Sequence, residues 1–211
     1  MTKVLILGAS GQIARHVVSN LADDAPIDMT LFVRDAGKLA SRPAGASLVQ
    51  GDVLDRAILD EAMAGQDLVY ANLTGDNLDD QAKSVIASMK AMDVKRLIFA
   101  LALGIYDEVP GAFGAWNNAT IGEDLKPFRR AADAIEASGL DYTILRPAWL
   151  TDEDEIDYET TDKDEAFKGT VVSRKSVADL IAAIIRSPSL LMHGNAGINK
   201  PGTYGDKPHF M

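Results

Sequence analysis

A doubly wound α/β fold built on a parallel sheet is what this sequence predicts, and three observations predict it. Short apolar runs alternate with helix-like segments along the chain. The connections between most of them are short. The first run passes directly into a glycine turn that opens a helix. Alternation of this kind gives a parallel sheet covered on both faces. Right-handed crossovers wind it in two directions, and ligands dock beyond the C-terminal ends of the strands.

The elements follow in order. Residues 3–7 (KVLIL) form a branched, apolar run that fits a fully buried strand. Further strands are expected at 30–33, 46–50, 67–71, 96–100 and 142–145. Helices are expected at 12–24, 57–64, 80–92 and 125–138, the first because Ile13, Val17, Val18 and Leu21 recur at helical spacing. A helix at 176–186 has Ser173 or Ser176 as its cap. Two longer irregular stretches, 101–121 and 151–170, follow strands and are expected over the ligand edge as substrate-side loops. The chain reads as one domain, 1–211, with a small C-terminal substrate region. In its extension, about 187–211, the stretch 195–211 either folds back on the body or meets a partner.

Composition narrows the function. With 211 residues, 47% hydrophobic and 25% charged, the chain can bury a sizeable core. A net charge of −10 argues against nucleic acid or an anionic membrane as partner, and obliges any anion site to supply its cations locally. The absence of cysteine excludes disulfides, thiol nucleophiles and cysteine-ligated zinc. The start, Met1-Thr2-Lys3-Val4, enters a strand at once and leaves no room for a leader, so a cytoplasmic protein is expected. His16, His193 and His209 show no ligand spacing, and no metal is expected. Five carboxylates stand between Asp152 and Asp157 without the spacing of a calcium loop, which fits a solvated lid.

The chemistry is concentrated at strand ends. Gly8-Ala9-Ser10-Gly11-Gln12-Ile13-Ala14 joins strand to helix as G-x-x-G-x-x-A rather than G-x-G-x-x-G. Gly8 takes the turn, Gly11 lets backbone approach a pyrophosphate, and Ala14 lets the helix pack on the strand. The helix N-terminus offers open N–H groups and a positive dipole end. After the second strand, Arg34 presents a charged fork suited to a ribose 2′-phosphate, and Lys38 adds charge four residues on. NADP(H) is therefore expected in preference to NAD(H). Asp52 can accept from an adenine amino group while Val53 packs on the ring. Asp55 is placed to cap the next helix. Leu73, Thr74 and Gly75 form a turn that can pass beneath the adenosine or its phosphates.

The glycine turn, Arg34, Gly51-Asp52-Val53 and Leu145-Arg146-Pro147 stand in the order found in the NAD(P)-binding, NmrA-like branch of the atypical short-chain dehydrogenase/reductases, which this chain resembles over essentially its whole length. Residues 104–111 and 143–149 extend the resemblance. It implies a Rossmann fold and kinship with flavin reductase/biliverdin-IXβ reductase. It also implies a catalytic Ser after the fifth strand and a Tyr-x-x-x-Lys pair on the next helix. Here those places hold Ala102, Asp124 and Phe128. Two readings follow: hydride transfer from NADPH to a small or flat acceptor that needs little acid help, such as a flavin or quinone, or a non-turnover NADP(H) sensor. A scaffold acting through another protein is a third. Tyr106 is the one phenol expected near the nicotinamide edge and the candidate acid. Pro147 and Ala148 are expected to border the nicotinamide, and Trp149 to stack on a flat substrate. Arg146 is expected to anchor its loop. A monomer or homodimer fits all of this.

Overall fold

The computed structural model describes residues 1–22, 24 and 26–211. Asp23, within the expected first helix, lies outside the described residues.

In chain order the elements are β1 (Thr2–Leu7), α1 (Gln12–Leu21), β2 (Ile27–Val33), a 3₁₀ turn (Ala36–Lys38), β3 (Ser47–Gln50), α2 (Arg56–Met63), β4 (Leu68–Ala71), α3 (Leu78–Ala91), β5 (Arg96–Ala100), α4 (Gly111–Ile121), α5 (Leu125–Glu136), β6 (Asp141–Pro147), β7 (Trp149–Thr151), β8 (Glu159–Thr161), β9 (Val171–Ser173), α6 (Arg174–Arg186) and β10 (Gly194–Asn199). Strand residues alternate between two cores, as the two-residue period of a strand requires. Val4 and Ile6 join Leu31, Tyr70 and Ile98 beneath α1 and α6. Leu5 and Leu7 join Phe32, Val69 and Phe99 beneath α2, α3 and α5. Both faces are covered, which is why the strands read as unbroken apolar runs.

The sheet order is β3-β2-β1-β4-β5-β6-β10-β8. Every pairing is parallel except β10 with β8. The order reverses between β1 and β4, so a crevice opens beyond Leu7 and Ala71. This is the predicted doubly wound Rossmann architecture, with three corrections. The stretch 101–121 contains α4. The stretch 151–170 contains β8. The C-terminal segment supplies β10, which pairs with β6 and carries the sheet two strands further. A separate two-stranded parallel sheet joins β7 to β9.

Arg96 anchors the N-terminal edge. It is 6% exposed. Its guanidinium donates to the carbonyls of Pro188 (2.7 Å), Leu97 (3.0 Å), Asp141 (2.9 Å) and Leu190 (3.1 Å) and to Thr143 Oγ1 (2.7 Å), tying the α6–β10 connection to β5 and β6.

Candidate functional site

The crevice is a cleft of about 790 Å³ at the C-terminal edge of the sheet. One wall is the glycine turn. Gly8 has φ +73°, and a Cβ there would stand 2.3 Å from the Asn72 carbonyl oxygen. A Cβ on Gly11 would stand 2.0 Å from Asn72 Nδ2, so these glycines also admit the loop after β4. The N–H groups of Gly8 and Ala9 donate to Phe32 O (3.0 and 3.2 Å), and that of Gly11 to Gly8 O (2.9 Å). The donors left open are therefore further on. Gly11 caps α1 without a side-chain bond, and among the described residues Ser10, Gln12 and Ile13 have no acceptor for their N–H.

The floor and far walls come from β2 and the loops after β3, β4 and β6. Arg34 and Lys38 are exposed, line the cleft, and make no side-chain hydrogen bond or ion pair among the described residues. Asp35 lies between them, but its carboxylate accepts from Gly37 N at 2.9 Å and caps the 3₁₀ turn. Val53, Leu73 and Thr74 also line the cleft. So do Phe32, Asn72, Gln81, Leu150 and Arg174, which the sequence did not single out.

Several expected residues lie elsewhere. Ala9 is fully buried behind the turn. Asp52 is outside the lining and accepts from Leu54 N at 2.9 Å, while Asp55 caps α2 through Ala57 N and Ile58 N. Gly75 turns the chain toward α3, its carbonyl accepting from Leu78 N at 3.1 Å. Pro147 and Ala148 are buried at the end of β6, held by Leu103 N to Pro147 O (3.2 Å) and Ala148 N to Ile198 O (2.9 Å). Trp149 packs on Trp116 at 5.0 Å and donates Nε1 to Asn117 Oδ1 at 2.8 Å.

Tyr106 is also outside the cleft lining. Its hydroxyl donates to Glu136 Oε1 (2.9 Å) and accepts from Asn195 Nδ2 (2.8 Å). Burial, with the Glu136 carboxylate beside it, pushes its pKa well above the ordinary phenol value. Lys163 lies 4.3 Å and Arg129 4.8 Å from the ring centre. The cause is Glu108. Its carboxylate accepts from Gly104 N and Tyr106 N, both at 2.9 Å, and pairs with fully buried Arg146. The loop after β5 is thereby drawn toward α5. Arg146 does anchor its surroundings, donating also to Asn195 Oδ1 at 2.8 Å.

The acidic segment is tied down rather than free. Asp152 pairs with Arg174, Asp154 with Lys175, and Glu153 and Glu155 with Lys200. Ala102 and Phe128 are half-buried and Asp124 is exposed. No tyrosine or histidine is among the residues that line the cleft.

A family profile described as NAD(P)H-binding matches residues 8–188. The chain belongs to the NAD(P)H-binding family. Within it, the chain is an atypical short-chain, NmrA-like oxidoreductase relative, and a nicotinamide cofactor is the family's ligand class. A Rossmann-fold NAD(P)-binding family protein from Shigella flexneri is 61% identical over the whole of both chains, with a TM-score of 0.87. A short-chain dehydrogenase/reductase from Veillonella parvula, solved in complex with NADP, is 25% identical over 99% of both chains, with a TM-score of 0.89. The (4-alkanoyl-5-oxo-2,5-dihydrofuran-3-yl)methyl phosphate reductase of Streptomyces griseus is 31% identical over 146 residues, 68% of this chain and 46% of that protein. The chain thus aligns with less than half the length of that reductase. Among the described residues of this NAD(P)H-binding protein, no helix is long and apolar enough to cross a membrane.

Proposed function

We propose that this protein is an NADPH-dependent reductase that delivers hydride to a small or flat acceptor, of the class of flavins and quinones. The observation that carries the reading is the cationic couple Arg34 and Lys38, just after β2 and without a side-chain partner among the described residues, lining the same cleft as Ser10, Gln12 and Ile13 with their open N–H groups. Arg34 and Lys38 hold the ribose 2′-phosphate, and the start of α1 holds the diphosphate. Val53 and Leu73 give the adenine an apolar seat. A bound reduced nicotinamide would supply hydride chemistry at this cleft, with Arg34, Lys38 and the start of α1 holding its phosphates. The chain contributes binding and orientation, which is what a conjugated acceptor requires. The name of the Streptomyces relative, a reductase, supports this class of reaction. A cytoplasmic protein working as a monomer or homodimer on a small molecule fits the reading.

A non-turnover NADP(H) sensor is the second reading. It is favoured by the absence of tyrosine and histidine from the cleft lining and by the engagement of Tyr106 with Glu136 and Asn195.

One titration separates them. NADPH and NADH are added while the fluorescence of Trp116 and Trp149 is followed, and then FMN and a soluble quinone are added while cofactor absorbance is read. The reductase binds NADPH more tightly than NADH and consumes it when an acceptor is present. The sensor binds without consumption. Arg34→Ala weakens NADPH by about tenfold or more and leaves NADH nearly unchanged, in line with loss of a charge-assisted phosphate contact.

A further inference from the structure

The cleft wall that faces the glycine turn holds a cation whose donors are not all engaged. Arg174 is the first residue of α6 and lines the cleft. Its side chain is 16% exposed, and Nη1 donates to Asp152 Oδ1 at 3.0 Å, Asp152 itself being 76% exposed. Nε is shut off from solvent and has no hydrogen-bond partner among the described residues. Guanidinium groups present a planar fork of five donors, and a buried member of that fork is rarely left single. The buried guanidinium of Arg96, by contrast, reaches five oxygen acceptors.

The location is specific. α6 packs along α1 with the same ends together. Arg186, at the end of α6, reaches Asp24 Oδ2 and Asn20 O, both at 2.8 Å, beyond and within the last turn of α1. At the opposite end, burial, Arg15 and the charges of Lys175 and Arg174 lower the pKa of His16 in the first half of α1. Arg174 therefore stands across from the first turn of α1, where the open N–H groups of Ser10, Gln12 and Ile13 lie. The chain carries a net charge of −10, and Arg34 and Lys38, which follow β2, line the same cleft.

We propose that Arg174 is a phosphate clamp for the cofactor's diphosphate, with Asp152 as its placeholder anion. This rests on the cofactor reading above. On binding, the guanidinium leaves the solvated Asp152 carboxylate and closes its fork on phosphate oxygens that the start of α1 holds from the other side. Cofactor affinity is then set by a competition between phosphate and carboxylate for one cation. Asp152 weakens binding by occupying the clamp, a role that a merely structural ion pair does not have.

The test uses full-length protein and two probes, NADPH and 2′,5′-ADP, which keeps the 2′-phosphate but has only one phosphate at the 5′ position. Dissociation constants are read by tryptophan quenching or calorimetry for the natural chain, Arg174→Gln and Asp152→Asn. The clamp predicts that Arg174→Gln weakens NADPH by about tenfold or more and 2′,5′-ADP by about threefold or less. It also predicts that Asp152→Asn tightens NADPH about two- to fivefold. Asp152 is exposed, so this second variant decides the matter even where Arg174→Gln fails to fold. NADPH affinities within twofold of the natural chain in every folded variant overturn the clamp. Equal weakening of both probes by Arg174→Gln overturns the diphosphate assignment. Unchanged cofactor affinity with impaired use of an anionic acceptor also overturns it, in favour of an acceptor contact. Failure of the natural chain to bind either cofactor overturns instead the reading on which the clamp rests, so the two failures are distinct.

Discussion

The two halves of the sheet use charged side chains in opposite ways. Around β1, β2 and β4, Arg34 and Lys38 stand at the cleft with no partner among the described residues, and the first turn of α1 keeps open donors. Around β5, β6 and β10, Arg96 and Arg146 are buried and their guanidinium groups are met by carbonyls, Thr143, Asn195 and Glu108. Lys126, Arg129 and Arg130 on α5 are likewise paired, with Glu123, Asp133 and Asp79. The first half leaves these two cations at the cleft without a side-chain partner among the described residues. The second uses charge to fix a backbone path that apolar packing alone leaves undetermined. An arginine at a strand end is thus informative about function only once its partners are known.

The contrast can be broken at four points. The largest effect is expected from Arg146→Met, which leaves Glu108 buried and unpaired. Stability should fall by about 3–5 kcal/mol in chemical denaturation, with NADPH affinity of the folded fraction nearly unchanged. A loss below about 1 kcal/mol would mean that the pair is ornamental. Next is Gly8→Ala, where positive φ and the Asn72 carbonyl both oppose a side chain. It should cost about 1–3 kcal/mol and remove NADPH binding by direct titration.

Tyr106→Phe sharpens the comparison from the other side. Loss of the bonds to Glu136 and Asn195 should cost about 1–2 kcal/mol, while turnover with a flavin or quinone stays within about twofold. A turnover loss of about a hundredfold would restore Tyr106 as an acid.

The smallest effect concerns Asp79 on α3. Hydrogen bonds from Arg130 first, and then from Lys83, pull its pKa down from 3.8 to about 2. The folded carboxyl holds its proton less tightly than the unfolded one, so the stabilisation is present above about pH 4 and is lost as pH falls toward 2. Thermal melts of Asp79→Asn should therefore converge on those of the natural chain in acid and fall below them near neutrality. A constant offset across that range would assign the difference to packing.

Much of the first half was legible because each signal there is local. The run at 3–7, the glycine turn and Arg34 occupy one strand, one turn and one strand end. α4 was not legible. Gly111-Ala-Phe-Gly-Ala-Trp-Asn-Asn carries two glycines and no charged face, so no helical period stands out. β10, with the sequence GNAGIN, lacks a branched run and is a strand because β6 and β8 pair with it and Arg146 holds Asn195. Tyr106 lies outside the lining of this cleft for a related reason. Proximity to the end of β5 suggested the cleft, but the Glu108 carboxylate captures two N–H groups of the loop and turns the phenol toward α5. Leu150 and Arg174 reach the cleft through the β7–β9 pairing, a contact between residues twenty-two apart that no local pattern encodes.

The ends of the large sheet carry a further consequence. Its two outermost strands are β3, with four residues, and β8, with three and an antiparallel setting. An exposed strand is a template for another chain, and very short edges deny a partner enough successive N–H and C=O groups to zip along. Growth of the sheet by stacking further molecules onto either rim is therefore disfavoured. The strand ends and the cleft above them are set apart from these two rims.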